Sequence, residues 1–469
     1  MNSPFLFSLL LGLALLVPSS ARAQEVSGPA APGDADEALV GQVLSLYHPE
    51  DAGKPQHVSA TRLVRRVMQA WDRLSEESRE KLKPYVLMPG QEQPGDTPSA
   101  PGQDEFKYAK TQHFLVFWKT EGLDAVRAGD QNRNGFPDYV ERTGSFLEQA
   151  YQKEVVEMGF QQPPSCPQYR VYLKGLNHNG LTHTAGGAQT WIEINANIEA
   201  YTRRTLGAKF GPQVSADPQG IESGLLKAVC AHEFFHAIQA NYSFDQPDWF
   251  AEGSAEWMGE MVFPESEFYL NNLPLHFQQP HVSLFSSDLW FEYSASVFTG
   301  FLMENLGGPA LLKRIWEACR KQQAGAAIQQ ICGDFRELFT AFWCYNALRA
   351  YKDGAKYPQV EAVEVKQFPF TMQSGEIAEP QYYGANLFRL SGLDPARPLK
   401  IAIVPRGGSA LGAKLIAIDP TTKKWKIVRL AAGADGSLNS VAPPAQQAVL
   451  VIGNFTKDKK GAYTLTASY

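Results

Sequence analysis

Long runs of basic residues are missing from this 469-residue chain, and its net charge is −6. Without a basic patch there is no electrostatic footprint for nucleic acid, and nucleic-acid binding is not expected. Cysteine is scarce: five residues in so long a chain cannot make a disulfide scaffold. Cys319 and Cys332 could close a short loop, with free buried thiols as the other reading. Solenoid-type repeats are also lacking, which excludes stacked-repeat architectures. The apolar run Phe5 to Val17 falls well short of the ~20 residues a helix needs to cross a bilayer, so no transmembrane anchor is expected.

What is present at the start is the pattern of an export signal. The apolar run is followed by Pro18-Ser19-Ser20 and a small-residue site, Ala21-Arg22-Ala23. The expectation is a bacterial-type signal peptide over 1–23, with a secreted, periplasmic or cell-surface chain from Gln24. No Lys or Arg precedes the run, and no Cys follows the cleavage site, so a lipid anchor there is not expected. Gln24 to Asp36 reads as a flexible leader. Ala38 to Leu87 reads as helical: Leu39, Val43, Leu44 and Tyr47 recur at helical spacing, as do Leu63, Val64, Val67, Met68 and Trp71. Met88 to Gln103, rich in Pro and Gly, reads as a linker. Residues 24–105 are thus a pro-segment, a docking module or an ordinary subdomain packed on the rest of the chain.

From Phe106 the texture becomes α+β, with strands expected at His113–Trp118, Tyr169–Leu173 and Thr190–Ile194. Residues 366–469 carry short apolar runs separated by turn residues, Leu399–Val404, Lys414–Ile418 and Ala448–Ile452 among them, the spacing of an antiparallel β-sandwich. No aromatic ladder marks a sugar-binding face there.

The chemistry is concentrated in residues 106–365. His232-Glu233-Phe234-Phe235-His236 places two imidazoles four residues apart on one helix face, where both reach one zinc ion, with Glu233 beside the water. With nine His in the chain, composition alone yields such a motif in on the order of 1% of comparable sequences. Leu225, Leu226, Val229, Phe235 and Ile238 give that helix an apolar surface to bury. Cys230 falls off the ligand face and reads as core. Sixteen positions after His236, Glu252 and then Glu256 stand at i and i+4 of a second helix. One can ligate the metal while the other accepts a hydrogen bond from a ligating imidazole.

These residues resemble the gluzincin zinc peptidases, the thermolysin-like and aminopeptidase N-type enzymes, in which HExxH is followed by a helix carrying a glutamate ligand. The resemblance implies His232, His236 and Glu252 as zinc ligands, Glu233 as general base and Glu256 as the acid behind a ligand. The spacing is shorter than in the best-known members, and Glu256 stands where thermolysin-like enzymes carry Asp, so Glu256 as the ligand stays open. Where those folds place an edge strand for substrate, Thr190–Ile194 is the candidate edge, an interior position being the alternative. Phe291-Glu292-Tyr293 resembles the helix start whose Tyr donates to the oxyanion, although the Lys-Gly that usually follows is absent. Tyr242, His276 and His281 are further candidates.

Asp130 to Glu141 matches a twelve-residue calcium loop, with oxygen-bearing side chains from Asp130, Asn132, Asn134, Asp138 and Glu141, the Phe136 carbonyl, and Gly135 at the sharp turn. The alternative is a solvated turn. One ion there would be structural, and no paired loop suggests a calcium sensor. The whole pattern is similar to a poorly characterised family of secreted bacterial metalloproteases.

The fold expectation is therefore α+β: a gluzincin-like metalloprotease domain with an N-terminal helical segment and a C-terminal β-sandwich. The functional expectation is a monomeric, secreted zinc endopeptidase acting on protein or peptide, with structural calcium. Endopeptidase is preferred to aminopeptidase because no GxMEN-like segment is present. The other reading is an inactive, metal-stiffened adhesion protein.

Overall fold

The computed structural model describes residues 32–47, 59–94, 96, 106–184, 189–394, 396–419, 421–422, 424–442 and 447–469. The expected signal peptide and the residues 24–31 of the expected leader lie outside these. The chain is of mixed α and β type, with helices before, within and after a first sheet and the remaining strands in two further sheets.

Three helices come first: α1 (Pro32–Leu44), α2 (Ala60–Ala70) and α3 (Glu76–Val86). Helix α1 begins inside the stretch read from sequence as flexible, because its apolar positions Leu39, Val40 and Val43 find a core to join. Ser59 caps α2 by accepting from the Arg62 amide, and Ser75 caps α3 through Ser78, each answering an amide the first turn leaves unpaired. Leu63, Val64, Val67, Trp71, Leu82 and Val86 complete this core, which also takes in Leu176 and Leu181 of the next unit. Met88, read from sequence as linker, is buried beneath the first sheet with Phe106, Phe117, Tyr172 and Trp191.

That sheet contains β1 (Lys107–Lys110), β2 (Phe114–Trp118), β3 (Tyr169–Lys174), β4 (Gly180–Thr184) and β5 (Thr190–Asn195), in the order β1-β2-β3-β5-β4. Strands β2, β3 and β5 run parallel, while β4 lies antiparallel at the edge. Thr190–Ile194 is thus an interior strand and not the edge. Every residue of β5 is buried, as expected for a strand paired on both sides. One face of the sheet carries α4 (Asp138–Tyr151), then α5 (Ile198–Leu206) leads to α6 (Ile221–Gln239), which packs on β4 and β5. Helix α6 is buried along almost its whole length and behaves as a core helix with no solvent face.

Helix α7 (Asp248–Val262) lies against α6. It is followed by α8 (Leu273–Gln278), α9 (Phe291–Ser294), α10 (Ser296–Leu302), α11 (Gly308–Ala318), α12 (Ala324–Cys332) and α13 (Phe335–Leu348). Gly253 lets α7 approach the α9–α10 junction closely, since a Cβ there would stand 2.9 Å from the Ala295 carbonyl carbon. Gly180 does the same for α6 against β4, where a Cβ would meet Val229 at 2.7 Å and Glu233 at 3.0 Å.

The C-terminal strands are β6 (Val363–Val365), β7 (Phe370–Gln373), β8 (Ala385–Ser391), β9 (Leu399–Pro405), β10 (Leu411–Ile418), β11 (Trp425–Arg429), β12 (Ala431–Ala432), β13 (Leu438–Ala442), β14 (Gln447–Asn454) and β15 (Tyr463–Ser468). They form two sheets, β11-β10-β14-β8-β6 and β12-β13-β9-β15-β7. All the pairings are antiparallel except β6 with β8, which is parallel. Alternation along β10 and β14 sends Leu415, Leu450 and Ile452 between the sheets, while Ile416, Val449 and Val451 face the core that α13 shares. All five cysteines are free, so Cys319 and Cys332 are not bridged. No helix among the described residues is long and apolar enough to cross a membrane.

Candidate metal centre

Helices α6 and α7 bring His232, His236 and Glu252 together in a buried cluster. The i, i+4 spacing on α6 sets the two imidazoles on one face, with Nε2 atoms 3.0 Å apart. Glu252 Oε2 lies 3.2 Å from each of those nitrogens. The three donor atoms form a nearly equilateral triangle. Ligands at zinc's ordinary bond lengths stand about 3.3 Å apart around a tetrahedron, so this donor set fits a zinc ion with one position left open.

The outer ring nitrogens are also held. His236 Nδ1 lies 2.9 Å from Gln239 Oε1, and Gln239 Nε2 in turn donates to the Ala251 carbonyl at 2.9 Å and the Ser254 hydroxyl at 3.2 Å. The amide can therefore only present its oxygen to the ring, so Nδ1 carries the proton and Nε2 the lone pair. His232 Nδ1 faces Glu256 Oε2 at 3.3 Å, and Glu256 Oε1 accepts from Asn272 Nδ2 at 2.8 Å. Glu252 therefore turns into the triangle while Glu256 stands behind His232.

Electrostatics follow from this crowding. Burial works against charge on Glu252, but His236 and His232 outweigh it and hold the carboxyl well below its usual range. For His232, burial is outweighed by Glu252 and Glu256, which raise its pKa. Glu233 is pushed up chiefly by burial, the two histidines opposing. Its Oε2 and its own carbonyl each lie 2.8 Å from the Thr182 hydroxyl on β4.

Tyr293, on the short helix α9, sets its ring 5.8 Å from that of His232 at 25°. Burial and nearby Glu252 raise its pKa, with Ser59 opposing them. The other sequence candidates lie elsewhere. Tyr242 accepts from the Gln161 amide, and fully buried His276 packs on Phe291 and Trp343. His281 is bonded through its carbonyl to Gln381, and no hydrogen bond ties any of these three to the cluster. Cys230 is buried, its sulfur 4.0 Å from the Thr143 carbonyl. Gln239, Thr182, Asn272 and Ser59 were not identified from sequence. Gln239, three residues beyond the second His on the same helix face, had a signal that could have been read.

The 130–141 loop folds over its own side chains. Asp130 accepts from the Asn134 and Gly135 amides at 3.1 and 2.9 Å, and Asp138 Oδ1 from the Gln131 amide at 3.0 Å. Asn132 and Asn134 both contact Glu141, the latter at 2.6 Å. Gly135 adopts φ +89°, the left-handed turn required at that position. Asp138 opens α4, and Arg142 one turn on binds Glu222 and Ser223 at the start of α6.

Residues 99–392 match a family profile described as "Family of unknown function (DUF6055)", and the chain belongs to that family. No curated protein matches the chain. Among solved structures, the chain is similar to Aeromonas hydrophila PliG, a periplasmic lysozyme inhibitor of g-type lysozyme, with 14% identity. That match covers 23% of this chain and 94% of the other at a TM-score of 0.16, too low to establish a shared fold.

Proposed function

We propose that this member of the DUF6055 family is a secreted zinc-dependent endopeptidase of gluzincin type, with His232, His236 and Glu252 holding the metal. The observation that carries the reading is the triangle of three atoms able to ligate a metal at 3.0–3.2 Å, with Glu233 adjoining it. Zinc bound there supplies a Lewis acid for a peptide carbonyl and lowers the pKa of water to about 7.

The protein's own groups do the rest. Gln239 and Glu256 hold the two Nδ1 atoms, so that both Nε2 atoms face inward, and an ion entering the triangle would take the place of the proton on His232. The Glu233 carboxylate takes a proton from water and returns it to the nitrogen of the leaving amine. Thr182 orients that carboxylate from the edge strand. The Tyr293 hydroxyl donates to the oxygen on which negative charge develops, an interaction of about 3 kcal/mol in such sites. A metal site that only stiffened a scaffold would have no use for a buried acid at position 233.

The 130–141 loop is proposed to bind calcium through Asp130, Asn132, Asn134, Asp138, Glu141 and the Phe136 carbonyl. Its support is the contact of Asn132 and Asn134 with Glu141 and of Asp130 with the loop amides, at the start of an α4 that Arg142 links to α6.

Glu233→Gln tests the peptidase. It preserves size and leaves the three ligands untouched, so zinc content and melting temperature should stay near wild type. Hydrolysis of a diverse peptide library should fall by roughly 10²–10⁴-fold. Equal cleavage by the two proteins would overturn the mechanism.

A further inference from the structure

The two oxygens of Glu252 serve different parts of the chain. Oε2 completes the metal triangle, while Oε1 accepts a hydrogen bond of 2.7 Å from Ser59, far earlier in sequence. Ser59 is buried and caps α2, and it acts on Tyr293 by opposing the rise in its pKa. One residue of the N-terminal helical block thus bonds a candidate ligand and adjoins the candidate oxyanion donor.

The same block occupies the edge of the sheet. The Thr182 amide, which points away from β5, donates to Thr61 Oγ1 at 3.1 Å. An extended peptide pairing with β4 would need that amide. The Thr182 hydroxyl meanwhile touches Glu233, so a single edge residue links the block to the candidate base. Helix α2 is also held by charge at the entrance of α7. Arg62 and Arg65 pair with Asp248 at 2.8 and 3.1 Å, and Arg65 also donates to the Phe244 carbonyl at 2.6 Å. At the far end of the block, Tyr47 donates to Glu193 at 2.9 Å, beside the Lys174–Glu193 pair at 2.7 Å. Leu63, Val64 and Val67 share their core with Leu181 of β4 itself.

We infer that α1, α2 and α3 form a built-in inhibitory cover of the candidate site, in which Ser59 and Thr61 occupy the positions of substrate, and that peptide enters only when α2 lifts away. This rests on the peptidase reading only for what the cover regulates. The attachment is suited to release. Beside the apolar contact with Leu181, its polar contacts to α7 and β4 are ion pairs and single hydrogen bonds, and the arginines keep part of their surface in solvent.

The test uses the full chain with two kinds of substitution, R62E/R65E, which turns the ion pairs into repulsion, and S59A/T61V, which removes the polar latches without adding charge. Amide exchange is followed in metal-free protein across Ala60–Ala70 and at Thr182. The rate at which EDTA strips zinc and the rate of peptide-library hydrolysis are followed in loaded protein. Faster exchange in α2 and at Thr182, with zinc removal and hydrolysis each rising by about tenfold or more, is the expected result. Faster exchange in α2 with unchanged zinc removal overturns the cover, because the helix would then move without opening the site. Exchange in α2 that stays at the wild-type level in both variants also overturns it, since the block would be an inseparable part of the core. Faster exchange and faster zinc removal without hydrolysis in any variant supports the cover and counts against the peptidase.

Discussion

Gln239 Oε1 faces His236 Nδ1 at 2.9 Å, and the same amide is locked from its other end by the Ala251 carbonyl and Ser254 hydroxyl of α7. A side chain of α6 thus sets the tautomer of its neighbour through the helix that brings Glu252. Ligand orientation and helix packing are one arrangement.

Gln239→Ala and Glu256→Ala should each weaken zinc affinity by about 10–100-fold, because each frees an imidazole to rotate or change tautomer. Glu252→Ala, which deletes a corner of the triangle, should cost far more. Competition with a chromogenic zinc chelator ranks the three. A larger loss at Glu256 than at Glu252 would exchange their roles.

Calcium should raise the melting temperature of the wild-type protein, and Asp130→Ala should abolish the increment. Asp130 receives the amides of Asn134 and Gly135, so it shapes the loop as well as offering oxygens. Melting curves recorded with calcium and with EGTA decide the matter. Identical curves for the wild type would make the segment an ordinary turn.

Gly253→Ala should destabilise the fold by roughly 1–3 kcal/mol, since its Cβ would press on backbone atoms of Ala295 and Ser296 that cannot rotate aside. As α7 is displaced, Glu252 one residue earlier moves with it, so zinc affinity should fall as well. Denaturant midpoints together with zinc titration check this; a variant with wild-type stability would mean the helices relax without cost.

Glu260, near the end of α7, is largely buried, and its Oε2 has no hydrogen-bond partner among the described residues. Burial, with Asp353 nearby, pushes its carboxyl up to about 8. An acid whose folded pKa is raised contributes stability in full below its unfolded value, and loses it as pH rises through the folded value. Wild type should therefore lose stability relative to Glu260→Gln between about pH 4.5 and 8, by up to about 5 kcal/mol in total. Parallel stability–pH curves for the two proteins would show that Glu260 is not neutral in the fold.

Sequence alone determined the α+β texture and the face of α6 on which His232 and His236 meet, because both are local. A spacing of four residues sets two side chains on one helix face whatever surrounds it, and apolar periodicity reports that a face is to be buried. The runs at Tyr169–Leu173 and Ala448–Ile452 were legible as strands for the same reason. Pattern says that a surface is covered but not by what. Thr190–Ile194 looked like an edge, and it lies inside the sheet because Gly180–Thr184, a short Thr-rich stretch with little strand signal, pairs along its outer side. The division of labour between Glu252 and Glu256 was undecidable from two glutamates four apart. Their placement, Glu252 facing both imidazoles and Glu256 behind His232, follows from the approach of α7 to α6 and α9, which Gly253 permits. Ser59 and Glu252 are separated by 193 positions, and no local rule links a helix cap to a carboxylate so remote. Their contact exists because the core of α1, α2 and α3 closes over Leu176 and Leu181, and burial of that apolar surface carries Ser59 to the triangle of His232, His236 and Glu252.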